Sequence, residues 1–317
     1  MAWYGSISGL GLCVGLVLGG AITSYASWRW GFLVNIPITL LMLIYALKWL
    51  LTAKSAHQEH LDYAGTALSA IAAFTLIYAL DGAQHPLLWL IVGSVCLILL
   101  YLVEQKAQCP IIPTNLFHSY NRCNGYFSRM LLIGALMGYN FAISEFLQMG
   151  LHFTPLLTGC AFLPMTLTTF CGALCVPHLV ERYNNIPILS VGLSMLVGGF
   201  IWLSFFPQSG TYLYSICLPM LLIGFGQGLA MSPLTNLGIE NVESKDTGAA
   251  SGFVNVSHQL SGAFGLSLMV TVTAASDSVV RFRQSMTVAL ILILLALATT
   301  GIVSLAKKYN KHISNNP

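Results

Sequence analysis

A carboxylate inside an apolar segment has the most chemistry to offer in this sequence, and Glu145, in YNFAISEFLQMG, is placed that way. An ionisable group in hydrocarbon is costly, so Glu145 either lines a cavity and carries protons or reaches the nearby interface. Gln148 follows three residues later, and Gln227 is the one strongly polar side chain in the run around Gly224, Gly226 and Gly228. Asn255 and Gln259 stand at i, i+4, which puts two amides on one helical face. Buried amides need partners, and a neighbouring helix, water or a bound molecule would each serve. His258 lies between them; such a side chain titrates near neutral pH or stays neutral when hydrogen-bonded within a helix.

Nothing in the chain points to bond-making catalysis. HExxH, GxSxG and P-loop patterns are absent, as are paired carboxylates within an apolar run, so neither an enzyme nor a cofactor is expected. The 8 cysteines are scattered through apolar runs without a CxxC pair and read as small buried side chains. Cys171 and Cys175 share a helix face, and His57 and His60 share a polar loop, but neither pair has a third ligand and no metal site is expected.

The elements that would position these residues are dictated by composition. With 56% hydrophobic and 7% charged residues and a mean hydropathy of +0.77, 317 residues have too little polar material to cover a soluble globule. The net charge of +3 is scattered, with no basic stripe to meet nucleic acid. The chain therefore reads as an all-α polytopic membrane protein whose first partner is the lipid bilayer. Ten apolar runs are long enough to cross ~30 Å of hydrocarbon. They lie near 2–24, 30–51, 64–82, 86–103, 124–147, 155–177, 186–206, 211–233, 247–275 and 284–306. With alternating spans and Met1 inside, 10 of the 13 Lys and Arg residues, Arg129 among them, fall on the inner side, as the positive-inside rule requires. That arrangement places the C-terminus in the cytoplasm. The first run runs against it locally, since its nearest cation, Arg29, comes after it.

Gly11, Gly15 and Gly19 recur every fourth residue in an uncharged segment and leave a groove for a second helix. Gly20, Trp28, Arg29, Trp30, Phe32, Asn35 and Pro37 follow at set spacing. Together these residues resemble the fifth helix, loop and sixth helix of the major facilitator superfamily, in its fourteen-helix drug:proton antiporter branch. Leu16 stands where that branch has a proline. Further on, Thr154, Pro155, Gly159 and Pro164 resemble the segment between the family's helices nine and ten. Gly248, Ser251, Gly252, Asn255, Gln259, Gly262 and Gly265 resemble its helix thirteen, with His258 replacing the usual Arg. Glu181 and Arg182 resemble the family's acidic-Arg loop, which implies a gate latch where the residues alone give a solvated turn.

The resemblance implies a partial major facilitator fold: residues 1–52 as the last two helices of an N-terminal bundle, 53–122 as an extra helix pair and connector, and 123–317 as a C-terminal six-helix bundle. Four N-terminal helices are then expected to be absent, so that Met1 reads as an internal start. The implied activity is proton-coupled efflux of small hydrophobic or cationic compounds across the cell inner membrane. Alternating access needs both bundles, so the 317 residues alone are expected not to transport unless a longer product or a separate chain supplies the missing helices. A non-transporting remnant, or a facilitator or symporter of the same superfamily, fits the same residues.

Overall fold

A computed structural model describes residues 2–49, 62–80, 84–107, 112–205, 212–272 and 277–314, and the His57–His60 pair lies outside them. The described residues form ten long helical elements and no strand. They are α1 (Ala2–Tyr25), α2 (Trp28–Trp49), α3 (Tyr63–Leu80), α4 (Pro86–Glu104) and α5 (Tyr120–Gly150), followed by α6 (Pro155–Tyr183), α7 (Asn185–Phe205), α8 (Leu213–Gly238), α9 (Thr247–Val272) and α10 (Ser278–Ser314). Short 3-10 turns at Thr114–His118 and Ser244–Asp246 precede α5 and α9.

Among the described residues eight helices, α2 to α8 and α10, are long and apolar enough to cross a membrane, against the ten expected. The described apolar part of α1, Val14–Tyr25, is shorter. In α9, Asn255, His258 and Gln259 interrupt the apolar sequence.

Local chemistry sets the helix ends. Ser27 caps α2, its hydroxyl accepting from Arg29 N–H at 3.4 Å, and the Arg29 guanidinium lies 5.0 Å from the Trp28 ring. α2 is broken at Val34, just before Pro37, whose missing N–H leaves the Leu33 carbonyl without its helical donor. Asp62 accepts from Gly65 N–H at 2.8 Å at the start of α3. Thr154 accepts from Leu157 N–H at 3.3 Å, with Pro155 in the first helical position of α6. Between α6 and α7, Asn184 takes φ 65°, a left-handed turn in which asparagine substitutes for glycine. α1 runs unbroken through Leu16, as expected of a helix that lacks the proline.

α5 to α10 form one bundle. α8 packs on α6, α7 and α5; α5 also packs on α9 and α10, and α10 on α7. The core they share includes Leu132, Leu136, Tyr139, Leu193, Phe200 and Ile223, all between 0% and 2% exposed. α1 lies against α6, while α3 and α4 pair with each other and α3 touches α9. None of the α2 side chains from Trp28 to Trp49 is buried.

Glycines let the backbones approach. A Cβ on Gly226 would sit 2.6 Å from the Gly192 carbonyl oxygen, and one on Gly192 would sit 2.8 Å from that of Gly226. Gly224 and Gly228 meet the α6 backbone at Met165 and Thr169, and Gly265 meets Gly134 across α9 and α5. The N-terminal pattern turns out differently from its reading. Gly11, Gly15 and Gly19 face open space, and only Gly20 is in contact, with a Cβ there 2.6 Å from the Pro155 carbonyl oxygen. Leu156 N–H donates to Ser24 Oγ at 2.9 Å, fastening the same crossing. Gly248 and Gly252, read as a contact face, likewise have nothing within 4 Å.

These contacts make a contrast. Gly226→Val is expected to destabilise the purified protein by about 1–3 kcal/mol through overpacking, whereas Gly252→Val on the open face is expected to stay within about 0.5 kcal/mol of wild type. Melting curves in detergent, read side by side, check both; equal melting temperatures would contradict the α7–α8 crossing.

Candidate functional site

α5 carries the polar groups that the bundle organises. Its buried face alternates large apolar residues with Asn124, Ser128 and Arg129, which are 5%, 0% and 6% exposed. Arg129 lies nine residues beyond Tyr120, about 13 Å along the helix. This cation is therefore enclosed between helices rather than standing in a loop. Its Nη1 donates to Thr235 Oγ1 on α8 at 2.7 Å, and its Nη2 lies 3.4 Å from His258 Nδ1 on α9. Thr235 passes its own proton to the Met231 carbonyl at 3.0 Å. A guanidinium only donates, so His258 Nδ1 accepts and the imidazole proton sits on Nε2. The Nε of Arg129 is buried without a hydrogen-bond partner among the described residues, as is Ser257 Oγ on α9.

A second network joins α5 to α10. Asn124 Nδ2 donates to Thr300 Oγ1 at 3.4 Å, Ser128 Oγ donates to Asn124 Oδ1 at 3.1 Å, and Thr299 Oγ1 lies 3.3 Å from Ser128 Oγ. At the start of α5, Arg122 gathers four carbonyls: Leu116 at 2.9 Å, Asn115 at 2.7 Å, Glu240 at 3.1 Å and Asn241 at 3.0 Å. The loop before α5 is thereby tied to the loop after α8.

Glu145 stands at the other end of α5, sixteen residues and about 24 Å from Arg129. Arg281 Nη1 on α10 donates to its Oε1 at 2.6 Å, with the two side chains 35% and 24% exposed for Arg281 and Glu145. Phe146 and Phe282 stack beneath the pair at 4.6 Å between centroids. Glu145 is thus a half-buried partner of a facing arginine and is not part of the cluster around His258.

The remaining sequence candidates divide by face. Asn255 and Gln259 are exposed, continue a stripe with Gly248, Ser251 and Gly252, and make no hydrogen bond among the described residues. Gln227 shares α8 with buried Ile223, Ala230 and Leu234, and its Oε1 is buried without a partner among the described residues. Gln148 is exposed in the π turn Phe146–Gly150. Glu181 and Arg182 are exposed at the end of α6; the Arg182 guanidinium lies 5.3 Å from the Tyr183 ring, and no ion pair joins the two charges among the described residues.

The structure therefore adds Arg129, Thr235 and Arg281 to the residues that sequence reasoning selected. A cation five residues inside an apolar run was a visible signal for Arg129; nothing local marked Thr235 or Arg281, whose partners lie more than 100 residues away.

The Major Facilitator Superfamily family description matches residues 1–266. The chain is 31% identical over 286 residues to the puromycin resistance protein pur8 of Streptomyces alboniger, covering 87% of this chain and 56% of that protein. It is 28% identical to the lincomycin resistance protein of Streptomyces lincolnensis, covering 84% and 57%. With the cephamycin export protein CmcT of Amycolatopsis lactamdurans the identity is 30%, covering 83% and 57%. The chain spans a little over half the length of these relatives. A bundle of long apolar helices, a buried polar cluster within it, and a family match over most of the sequence agree: this chain is a multi-pass membrane protein of the Major Facilitator Superfamily of transporters.

Proposed function

We propose that the chain is part of a proton-coupled exporter of small hydrophobic compounds, of the fourteen-helix branch, with ten spanning helices in the inner membrane and a cytoplasmic C-terminus. The carrying observation is the exposed stripe Gly248, Ser251, Gly252, Asn255 and Gln259 on α9. Amides without partners are costly against lipid, so this face belongs to a water-filled passage or to a second bundle, and the family's relatives named for resistance and export supply the direction. In this reading α5 to α10 act as the C-terminal bundle, α3 and α4 as the extra pair, and α1 and α2 as the edge of the N-terminal bundle. The bundles rock about a midplane site lined by α9. Gln227 and Gln148 border the passage, while Glu181 and Arg182 form its gate loop.

The same polar stripe argues that export uses helices which the relatives have beyond the matched stretch, joined to this chain or supplied separately. Cells expressing the 317 residues alone are expected to show no proton-dependent efflux of cephamycin, and co-expression with the N-terminal helices of the CmcT protein is expected to restore it. Efflux by the 317 residues alone would overturn that part of the reading.

Proton coupling is assigned to His258, which faces the passage, whereas Glu145 holds α5 to α10 through Arg281. Glu145→Gln is expected to lower the melting temperature, with a coupling to Arg281→Gln of about 1 kcal/mol in a double-mutant cycle, and to leave the pH dependence of efflux in the exporting form unchanged. His258→Gln is expected to flatten that pH dependence. A flat profile for Glu145→Gln instead would transfer the proton to Glu145.

A further inference from the structure

Resting on the export reading, we infer that Arg129, His258 and Thr235 form an anion subsite, so that the cargo is an amphiphile carrying a carboxylate. Arg129 is 6% exposed, keeps its charge in a protein interior, and forms no ion pair with any carboxylate among the described residues. Its two hydrogen-bond partners are neutral: a threonine hydroxyl and an imidazole nitrogen. A buried cation without a counter-charge is costly, and more so between helices in a bilayer.

The hydrogen-bond inventory gives the sign of the missing partner. Thr235 has committed its proton to Met231, and the His258 Nδ1 lone pair is taken by Arg129. What the cluster has left to offer is donors: the Nε–H of Arg129, buried without a partner among the described residues, and the Nε2–H of His258. Ser257 Oγ, on the residue before His258, is a further buried hydroxyl without a partner among the described residues. Donors from α5 and α9 around one fixed positive charge match a carboxylate, which accepts several hydrogen bonds and neutralises the guanidinium. An ammonium group meets only repulsion there. The half-buried edge of His258 adjoins the exposed α9 stripe, which gives such a group its approach from the passage.

The test compares two probes with one apolar tail and opposite heads, 4-phenylbutyrate and 4-phenylbutylamine. Each is titrated into the purified 317-residue chain in phosphatidylcholine nanodiscs and followed by calorimetry. Wild type is expected to bind 4-phenylbutyrate about tenfold or more tightly than the amine. Arg129→Gln is expected to lose that preference, Arg129→Lys to retain part of it, and His258→Gln to weaken it a few-fold. If Arg129→Gln fails to fold, the wild-type preference and Arg129→Lys decide. Preference for the amine, binding of neither probe, or an unchanged preference in Arg129→Gln overturns the subsite while leaving the export assay untouched. Repeating the titration with phosphatidylglycerol present separates two sources of anion. Unchanged affinity keeps the site for cargo, and a tenfold loss gives it to a lipid phosphate and overturns the cargo assignment.

Discussion

The crossing of α7 and α8 at Gly192 and Gly226 sets the spacing of the bundle. Helices normally pack with their axes 8–10 Å apart, and at this crossing a methyl group on either glycine would press into the other's carbonyl. Apolar surface gives little drive to association when lipid is equally apolar, so contact between backbones supplies the cohesion. Gly224 and Gly228 repeat the device toward α6, and Gly134 and Gly265 repeat it between α5 and α9. α8 is thereby held on two sides, and Thr235 is carried to a fixed place beside Arg129.

With the helices fixed, polar groups fall into levels along α5. Arg122 ties loops at one end, the Asn124–Ser128–Thr300 network and Arg129 follow, and Glu145 meets Arg281 at the other end. The apolar segment between Arg129 and Glu145 packs through Leu132, Leu136, Tyr139 and Ile143, which separates the two charged levels. In a medium of low dielectric that separation matters, because each charge has to be satisfied by what stands beside it. Glu145 has a cation beside it. Arg129 has only neutral hydrogen-bond partners among the described residues, and this asymmetry sets the two levels apart.

Helix positions were legible in the sequence because apolar runs long enough for a bilayer become long helices, although two of the ten, at α1 and α9, fall short among the described residues. Glycine spacing was a weaker guide. Gly224, Gly226 and Gly228 all meet neighbouring helices, yet the equally regular Gly11, Gly15 and Gly19 meet nothing in this structure. A small-residue face states that a helix can be approached, not which helix approaches. The site was legible in part. His258, Asn255 and Gln259 stand out on α9 because amides and imidazole are rare in such a helix. Arg129 stood out as a cation five residues inside an apolar run, but nothing near it in the sequence named its partners. Its burial is decided by Thr235 and His258, contacts at sequence separations of 106 and 129. The Glu145 partner was hidden for the same reason, since Arg281 is 136 residues away.

α2 stands apart from the bundle, with exposed side chains along its length and aromatic residues at both ends, Trp28 and Trp30 at one and Trp49 at the other. Its 22 residues span about 33 Å if fully helical, close to the thickness of the hydrocarbon layer. A helix wedged among neighbours takes its tilt from them, but α2 makes few contacts within this chain, so wherever no further helix joins it, its tilt answers to hydrophobic mismatch. In a thinner bilayer the two indole girdles would stay at the headgroups and the helix would lean. The adjoining Ser27 corner, from which α1 descends to α6, would be turned with it, so bilayer thickness acts on the edge of the bundle through a lever about 33 Å long.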